Sequence, residues 1–359
     1  MKILIITNHS YMLYRFRKEL IRALMQEHEV VLSMPFTGHE EDFRAMGLRC
    51  IHTEVDRRGI DPRKDLKLFR TYRRLLKQER PDMVITYSIK PNIYAGLACS
   101  MAGIPFCANV QGLGTAFQRK KLIRLVTALY KTALRKARTV FFENSGNARE
   151  FLNRGIIPKE KVAVLSGAGI NLDEYPAVPY PENEAVHFLY LGRIMKEKGI
   201  DELFAAMRRL HGQLGSRVVL DLVGFFDDDY EDAVNRLVAD GIAVFHGFQS
   251  DPHPFYAAAD CVVLPSYHEG MSNVLLEAAA TCRPVITSNI HGCKEAVDDG
   301  RTGLLCRVRN ADDLYEKMYR MARTSREDRD AMGRAGRAKM AAEFEKDLVV
   351  EKTLRAIFH

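Results

Sequence analysis

Residues 261–278 read Cys261-Val262-Val263-Leu264-Pro265-Ser266-Tyr267-His268-Glu269-Gly270-Met271-Ser272-Asn273-Val274-Leu275-Leu276-Glu277-Ala278. Four consecutive apolar residues, two of them β-branched, form a strand buried on both faces, and Pro265 stops it. A polar loop with Glu269 and Gly270 follows, and a helix opens near Asn273. Strand, short loop and helix in that order are the building unit of a parallel α/β sheet. The same unit recurs in both directions. Strands are expected at Val186–Leu191, Val218–Val223, Ala243–Phe245, Cys261–Leu264, Pro284–Thr287 and Gly303–Cys306. Another series lies at Lys2–Thr7, Glu29–Ser33, Asp82–Thr86, Pro105–Asn109, Thr139–Phe142 and Val162–Leu165. Helical patterns such as Asp65–Lys77 and Leu203–Leu214 separate them.

Between the series, Leu172–Glu184 holds Pro176, Pro179 and Pro181, which break helix and strand alike and read as a linker. The expectation is α/β, two doubly wound Rossmann-like domains facing a central cleft. The first spans 1–171, the linker 172–184 and the second 185–340, with a C-terminal helix at about 341–359 packing back on the first. Ligands of such sheets sit at the carboxyl ends of the strands. Function is therefore expected in the loops after Thr7, Thr86, Asn109, Leu191, Val223, Phe245 and Leu264.

Composition narrows the classes. A charged fraction of 28% and a hydrophobic fraction of 47% describe a globular chain without extended disorder. Seven dispersed cysteines, with no C-x-x-C pair, read as reduced thiols, not as a disulfide frame or zinc site, which suggests the cytosol. Met1 runs straight into a strand, so no secretory signal is expected, and no uncharged run reaches the ~20 residues of a spanning helix. Charge is asymmetric. Residues 1–175 carry 30 Lys and Arg against 17 Asp and Glu, whereas 176–359 carry 23 against 29.

Chemistry is concentrated in two loops. After Cys261–Leu264, the strand–loop–helix junction offers unpaired backbone N–H groups and the positive end of a helix dipole. Gly270 and Ser272 let a phosphate or sugar approach, while Glu269 and Glu277 can hold two sets of hydroxyls. An ordinary helix start with acidic residues near it is the plain alternative. After Val186–Leu191 comes Gly192-Arg193-Ile194-Met195-Lys196-Glu197-Lys198-Gly199, in which Arg193 offers a fork of donors and Lys198 a mobile charge for a diphosphate. The run Asp227-Asp228-Asp229 looks like a D-x-D metal site, but it follows a strand and precedes a helix, where acids favour the N-terminus without metal.

The pair G-R-x-x-x-x-K-G and E-G-x-S-N-x-x-x-E, about seventy residues apart, resembles the signature of the family 4 retaining glycosyltransferases of the GT-B fold. Ser166-Gly167-Ala168-Gly169-Ile170-Asn171-Leu172-Asp173 extends the likeness. Tyr14-Arg15-Phe16-Arg17, Lys90-Pro91-Asn92 and Gln111-Gly112-Leu113-Gly114 are most similar to bacterial capsule and lipid-linked oligosaccharide enzymes, including N-acetylgalactosaminyltransferases that extend an undecaprenyl-diphosphate-linked sugar. The resemblance implies that Arg193 and Lys198 bind the donor diphosphate and, with Glu269, serve catalysis. Glu269 would hold hydroxyls of the transferred sugar and Glu277 those of the ribose. The backbone of Gly270, Met271, Ser272, Asn273 and Val274 would line sugar and phosphates, and Phe248 would lie near the base. The donor would be a nucleotide diphosphate sugar, UDP-linked, used without metal or other cofactor. Two departures stand on the acceptor side: Asn8-His9-Ser10-Tyr11 replaces a common glycine pair, and Ser88-Ile89-Lys90 replaces a common histidine. His9 and Lys90, with a backbone nest at Gly112 and Gly114, are the acceptor-side candidates, set against a surface lysine and a plain turn.

The basic half concentrates charge at Arg57–Lys77 and Arg119–Arg138, the second interleaved with the stripe Leu122, Val126, Leu129 and Ala133. Such a helix can lie on an anionic bilayer or pack its apolar side on the sheet. The implied acceptor is a polyprenyl-diphosphate-linked sugar, met at the inner face of the plasma membrane. Nucleic acid is not expected, because the second half is acidic and no binding module is recognisable. A sugar-nucleotide epimerase, an inverting transferase or an inactive sugar-nucleotide-binding subunit are the competing readings. A nicotinamide enzyme is disfavoured, since no G-x-G-x-x-G follows either opening strand.

Overall fold

The computed structural model describes residues 1–56, 61–113, 117 and 120–358, the side chains of 120 and 121 excepted. The chain divides into two compact units, Met1–Gly169 with Lys346–His359, and Ile170–Glu345.

The first unit holds seven parallel strands, β1 (Lys2–Ile6), β2 (Glu29–Met34), β3 (Arg49–His52), β4 (Met83–Tyr87), β5 (Phe106–Val110), β6 (Thr139–Phe142) and β7 (Val162–Val164), ordered β3-β2-β1-β4-β5-β6-β7. Sequence reading missed β3. Its residues, Arg49-Cys50-Ile51-His52, form an edge strand beside β2 with no fully buried position, so no apolar run marks it. One face of the sheet is covered by helices Pro62–Glu79, Gly96–Ala102 and Lys120–Ala133, through Tyr72, Leu75, Cys99, Val126 and Tyr130. Val126 and Ala133 of the expected stripe are buried and Leu129 packs on the same core, so this stripe faces the sheet. Helix Ser10–Met25 and the C-terminal helix Lys346–Phe358 share the opposite core, through Leu13, Leu20, Val349 and Ile357.

The second unit holds six parallel strands, β8 (Val186–Leu191), β9 (Val218–Val223), β10 (Ala243–Gly247), β11 (Cys261–Leu264), β12 (Val285–Ser288) and β13 (Gly303–Cys306), ordered β10-β9-β8-β11-β12-β13. The proline-rich segment 172–184, expected as a linker, packs on this unit instead. Tyr175 and Tyr180 are buried, and Arg283, Arg326, Arg329 and Arg337 bind the segment through its polar groups. Arg283 donates to the Pro179 carbonyl at 2.7 Å, Arg337 to that of Tyr175 at 2.8 Å, and Arg329 to the Tyr180 hydroxyl at 3.0 Å. Prolines prevent regular structure here, but their carbonyls remain acceptors, and the arginines use them.

The free cysteines are buried except Cys50. Burial pushes the Cys107 thiol up to about 11 and that of Cys99 up to about 12, which keeps both as inert thiols.

In the middle of β9, Asp221 accepts hydrogen bonds at 2.8 Å from His187 on β8 and from His246 on β10, tying three strands together. Burial pushes the Asp221 carboxyl up, yet the two histidine hydrogen bonds outweigh it and hold it below the usual carboxylate range. The same bond raises His187 above the usual imidazole range. A raised imidazole contributes stability that is complete below its unfolded value, about 6.5, and disappears as pH climbs through the folded value. His187→Ala is therefore expected to lower the melting temperature more at pH 6 than at pH 8.5, measured by scanning fluorimetry across that range.

Candidate functional site

In each sheet the strand order reverses once, between β1 and β4 and between β8 and β11. Loops leaving the carboxyl ends of such a neighbouring pair diverge and open a crevice. In the second unit these loops are Gly192–Gly199 and Pro265–Ser272, which carry the two motifs.

They are joined directly. The Tyr267 N–H donates to the Glu197 carbonyl at 2.8 Å. Gly199 takes the left-handed conformation, φ 73°, and a Cβ there would lie 2.1 Å from the Pro265 carbonyl oxygen, so only glycine lets the loops approach this closely. Across the junction the Lys198 ammonium pairs with Glu269 at 2.5 Å, and the Ser266 hydroxyl donates to the same carboxylate oxygen at 2.7 Å. Both charged side chains are largely buried, where solvent screens a pair weakly. Arg193 is half-exposed at the start of its loop and pairs with Asp227 at 2.6 Å. The buried Tyr190 hydroxyl fixes its backbone by donating to the Arg193 carbonyl at 2.5 Å.

Helix Asn273–Ala280 begins at the end of the β11 loop, with Ser272 as its cap residue. The first-turn N–H groups of Asn273 and Val274 have no carbonyl partner within the helix. Met271 is buried, and the partly buried Val274 packs against the core. Glu277, one turn along, is 6% exposed and receives the Tyr256 hydroxyl at 2.8 Å. Phe248 follows β10, lies 60% exposed, and meets Phe225, which follows β9, edge to face at 6.1 Å between ring centres.

In the first unit, His9 follows β1 and bonds through Nδ1 to the Thr37 hydroxyl at 2.9 Å. Lys90 is held by Asp65 at 2.9 Å, and both are largely buried. It is thus neither the surface lysine of the plain reading nor an unengaged cation. Gly112 lies just past β5 beside Gln111, which accepts from Ser88 at 3.4 Å. Gly114 lies outside the described residues, as do Arg57, Arg58 and Arg119 of the basic segments.

Several site residues escaped sequence reading. The acidic run does not cap a helix: the next helix begins only at Glu231, and Asp227 and Asp228 turn back to the Gly192–Lys198 loop. Tyr256 lies in the helix preceding β11, where nothing in the sequence marks it as a partner of Glu277. The loop after β12 supplies a third wall. Gly292 accepts from the Ser272 N–H at 2.9 Å and donates to Glu295 at 2.7 Å. At φ 90°, a Cβ on Gly292 would stand 2.5 Å from the Gly270 carbonyl oxygen and 2.7 Å from that of Glu269. The His291-Gly292-Cys293 step after a strand was the available signal. Among the described residues no group of three or more His, Cys, Asp or Glu is placed to hold a metal ion.

Residues 15–168 match the glycosyl transferase 4-like domain, and residues 185–324 match the glycosyl transferases group 1 model. A Campylobacter jejuni N,N'-diacetylbacillosaminyl-diphospho-undecaprenol alpha-1,3-N-acetylgalactosaminyltransferase is 29% identical over 338 residues, 89% of this chain and 88% of that protein. An Escherichia coli UDP-Gal:alpha-D-GlcNAc-diphosphoundecaprenol alpha-1,3-galactosyltransferase is 24% identical, covering 84% of each. The crystal structure of Anabaena Alr3699/HepE with UDP and glucose superposes with a TM-score of 0.81 over 99% of both chains, at 16% identity, which shows a shared fold.

Gly292→Ala is expected to displace the Glu269–Gly270 peptides and to destabilise the protein by about 1–3 kcal/mol in urea melts, the range for a strained substitution at positive φ.

Proposed function

Because this chain belongs to the family 4 glycosyltransferases of the GT-B fold, we propose that it moves a hexose or N-acetylhexosamine from a UDP-linked sugar to a lipid-diphosphate-linked sugar, with retention of anomeric configuration and without metal. The observation that carries this reading is the convergence of Arg193, Lys198, Glu269 and a helix start on two loops at one strand-order reversal. Two cations and first-turn N–H groups are suited to the charge that grows on a departing diphosphate, a task a metal performs elsewhere. Of the two residues a D-x-D metal reading would need, Asp227 and Asp229, the first is turned toward Arg193.

In the resting site Lys198 and Glu269 satisfy each other. A bound donor would take over both, the ammonium passing to a phosphate oxygen and the carboxylate to sugar hydroxyls. Each then exchanges one partner for another: the ammonium meets the phosphate charge, and the carboxylate accepts hydrogen bonds from hydroxyls. Glu277, aimed by Tyr256, suits the ribose, and the exposed Phe248 suits the base. The departing phosphate itself would receive the acceptor hydroxyl's proton on the same face of the sugar, which gives retention with no separate general base. The named relatives, whose names refer to undecaprenyl-linked sugars, support a lipid-diphosphate acceptor, and our reading assigns it to the first unit beside His9 and Gly112.

That acceptor sits in a membrane, and the first unit's surface fits one. Helices Pro62–Glu79 and Lys120–Ala133 expose Arg70, Arg73, Arg74, Lys77, Arg124 and Lys131, while Asp65 and Glu79 of the first helix are buried. No helix among the described residues is long and apolar enough to cross a membrane; the association we propose is peripheral, through these exposed basic side chains, on the cytoplasmic leaflet.

Arg193→Ala and Lys198→Ala are each expected to lower turnover by roughly 10²-fold, the scale of losing one charge-stabilising donor, with chelator leaving the wild-type rate unchanged. Product NMR should show the donor's anomeric configuration kept. Near-normal rates in both variants, or an inverted product, would overturn the mechanism. Binding to vesicles containing anionic lipid should weaken steeply with salt and be absent on neutral vesicles, as co-sedimentation reads directly.

A further inference from the structure

Three aspartates follow β9, yet they do three different things. The pairing of β8 with β9 continues beyond the strands: the Gly192 N–H donates to the Val223 carbonyl and the Ile194 N–H to that of Phe225, both at 2.9 Å. The chain after β9 then doubles back on Ile194, whose carbonyl accepts from the Asp227 and Asp228 N–H groups at 3.1 and 3.3 Å. The Asp228 carboxylate accepts the Lys196 N–H at 2.8 Å, and that of Asp227 takes NH1 of Arg193. Asp229 is exposed and makes no side-chain hydrogen bond or ion pair among the described residues.

We infer that Asp227 is a positioning residue, which by gripping one end of the Arg193 guanidinium turns the opposite edge toward the donor diphosphate, while Asp228 fixes the backbone beneath it. The inference rests on the reading that Arg193 binds that diphosphate. A guanidinium presents five N–H groups in a rigid plane, so a partner at NH1 leaves the Nε–NH2 edge for a two-point contact with phosphate. A half-exposed arginine otherwise loses much rotamer freedom on binding, and a side chain already held loses less. The opposing effect is the negative charge of Asp227, which repels the ligand. Orientation and charge can be separated, since asparagine keeps an oxygen for NH1 and removes the charge.

The test uses the full chain and whichever of UDP, ADP or GDP raises its melting temperature most, together with the matching monophosphate, by calorimetric titration. Arg193→Ala should weaken the diphosphate about tenfold and the monophosphate little. Asp227→Ala should reproduce most of that selective loss, Asp227→Asn should stay within twofold of wild type or bind tighter, and Asp229→Ala should match wild type. Adding Asp227→Ala to Arg193→Ala should change affinity less than twofold, because the aspartate acts through the arginine. The inference is overturned if Asp227→Ala leaves diphosphate affinity intact while Arg193→Ala lowers it. It is equally overturned if Asp227→Ala weakens diphosphate and monophosphate alike, or adds its full loss in the arginine-free background. An Arg193→Ala variant that binds normally, or failure of all three diphosphates to bind, would instead remove the donor reading underneath.

Discussion

Parallel pairing that outlasts the strands is the constraint on which the second unit's site depends. Because β8 and β9 remain zipped through Gly192 and Ile194, the backbone around Arg193 is an extension of the sheet more than a free loop. A strand paired to its end is stiff, and a side chain rooted in it has few ways to wander. The loop after β11 is in turn braced on this extension through Tyr267 and Gly199, and the loop after β12 is braced on it through Gly292. Three successive carboxyl-end loops thus form one stack, each holding the next by main-chain contacts, and the charged side chains are mounted on it.

The electrostatics follow from that mounting. Every charged group proposed to meet the donor already has a counter-charge or a hydroxyl: Arg193 with Asp227, Lys198 with Glu269, Glu277 with Tyr256. Partly buried charges are tolerated only when satisfied, and these partners are ones a ligand of matching chemistry can replace or share. In the first unit the loops at the corresponding reversal, between β1 and β4, carry the polar side chains Thr37, Ser88 and Gln111 together with His9, with Lys90 withdrawn to Asp65.

Much of this was legible in the residues. Every strand of the second unit was anticipated within two residues, because parallel strands buried on both faces read as continuous apolar runs. The edge strand β3 was not, since an edge needs no such run. Arg193, Lys198, Glu269 and Glu277 announced themselves by motif spacing. Their partners did not, because Asp227 lies 34 positions from Arg193, and Tyr256 lies 21 from Glu277. Contacts of that range depend on which strands become neighbours, and single-sequence periodicity is silent on order within a sheet. The packing of the proline-rich segment on the second unit was not visible for a related reason. The segment's lack of periodicity described its own conformation correctly, but the arginines that bind it come from 104 to 165 residues away.

The C-terminal helix has a consequence for how the chain is made. Val349 and Ile357 belong to the same core as Leu13 and Leu20, at the opposite end of the polypeptide. During vectorial synthesis the first sheet leaves the ribosome with that flank covered only in part, by helix Ser10–Met25, and it stays so while the whole second unit emerges and collapses. The unit that starts first is thus finished after the second, because part of its core is supplied by a segment made only once the whole second unit has emerged.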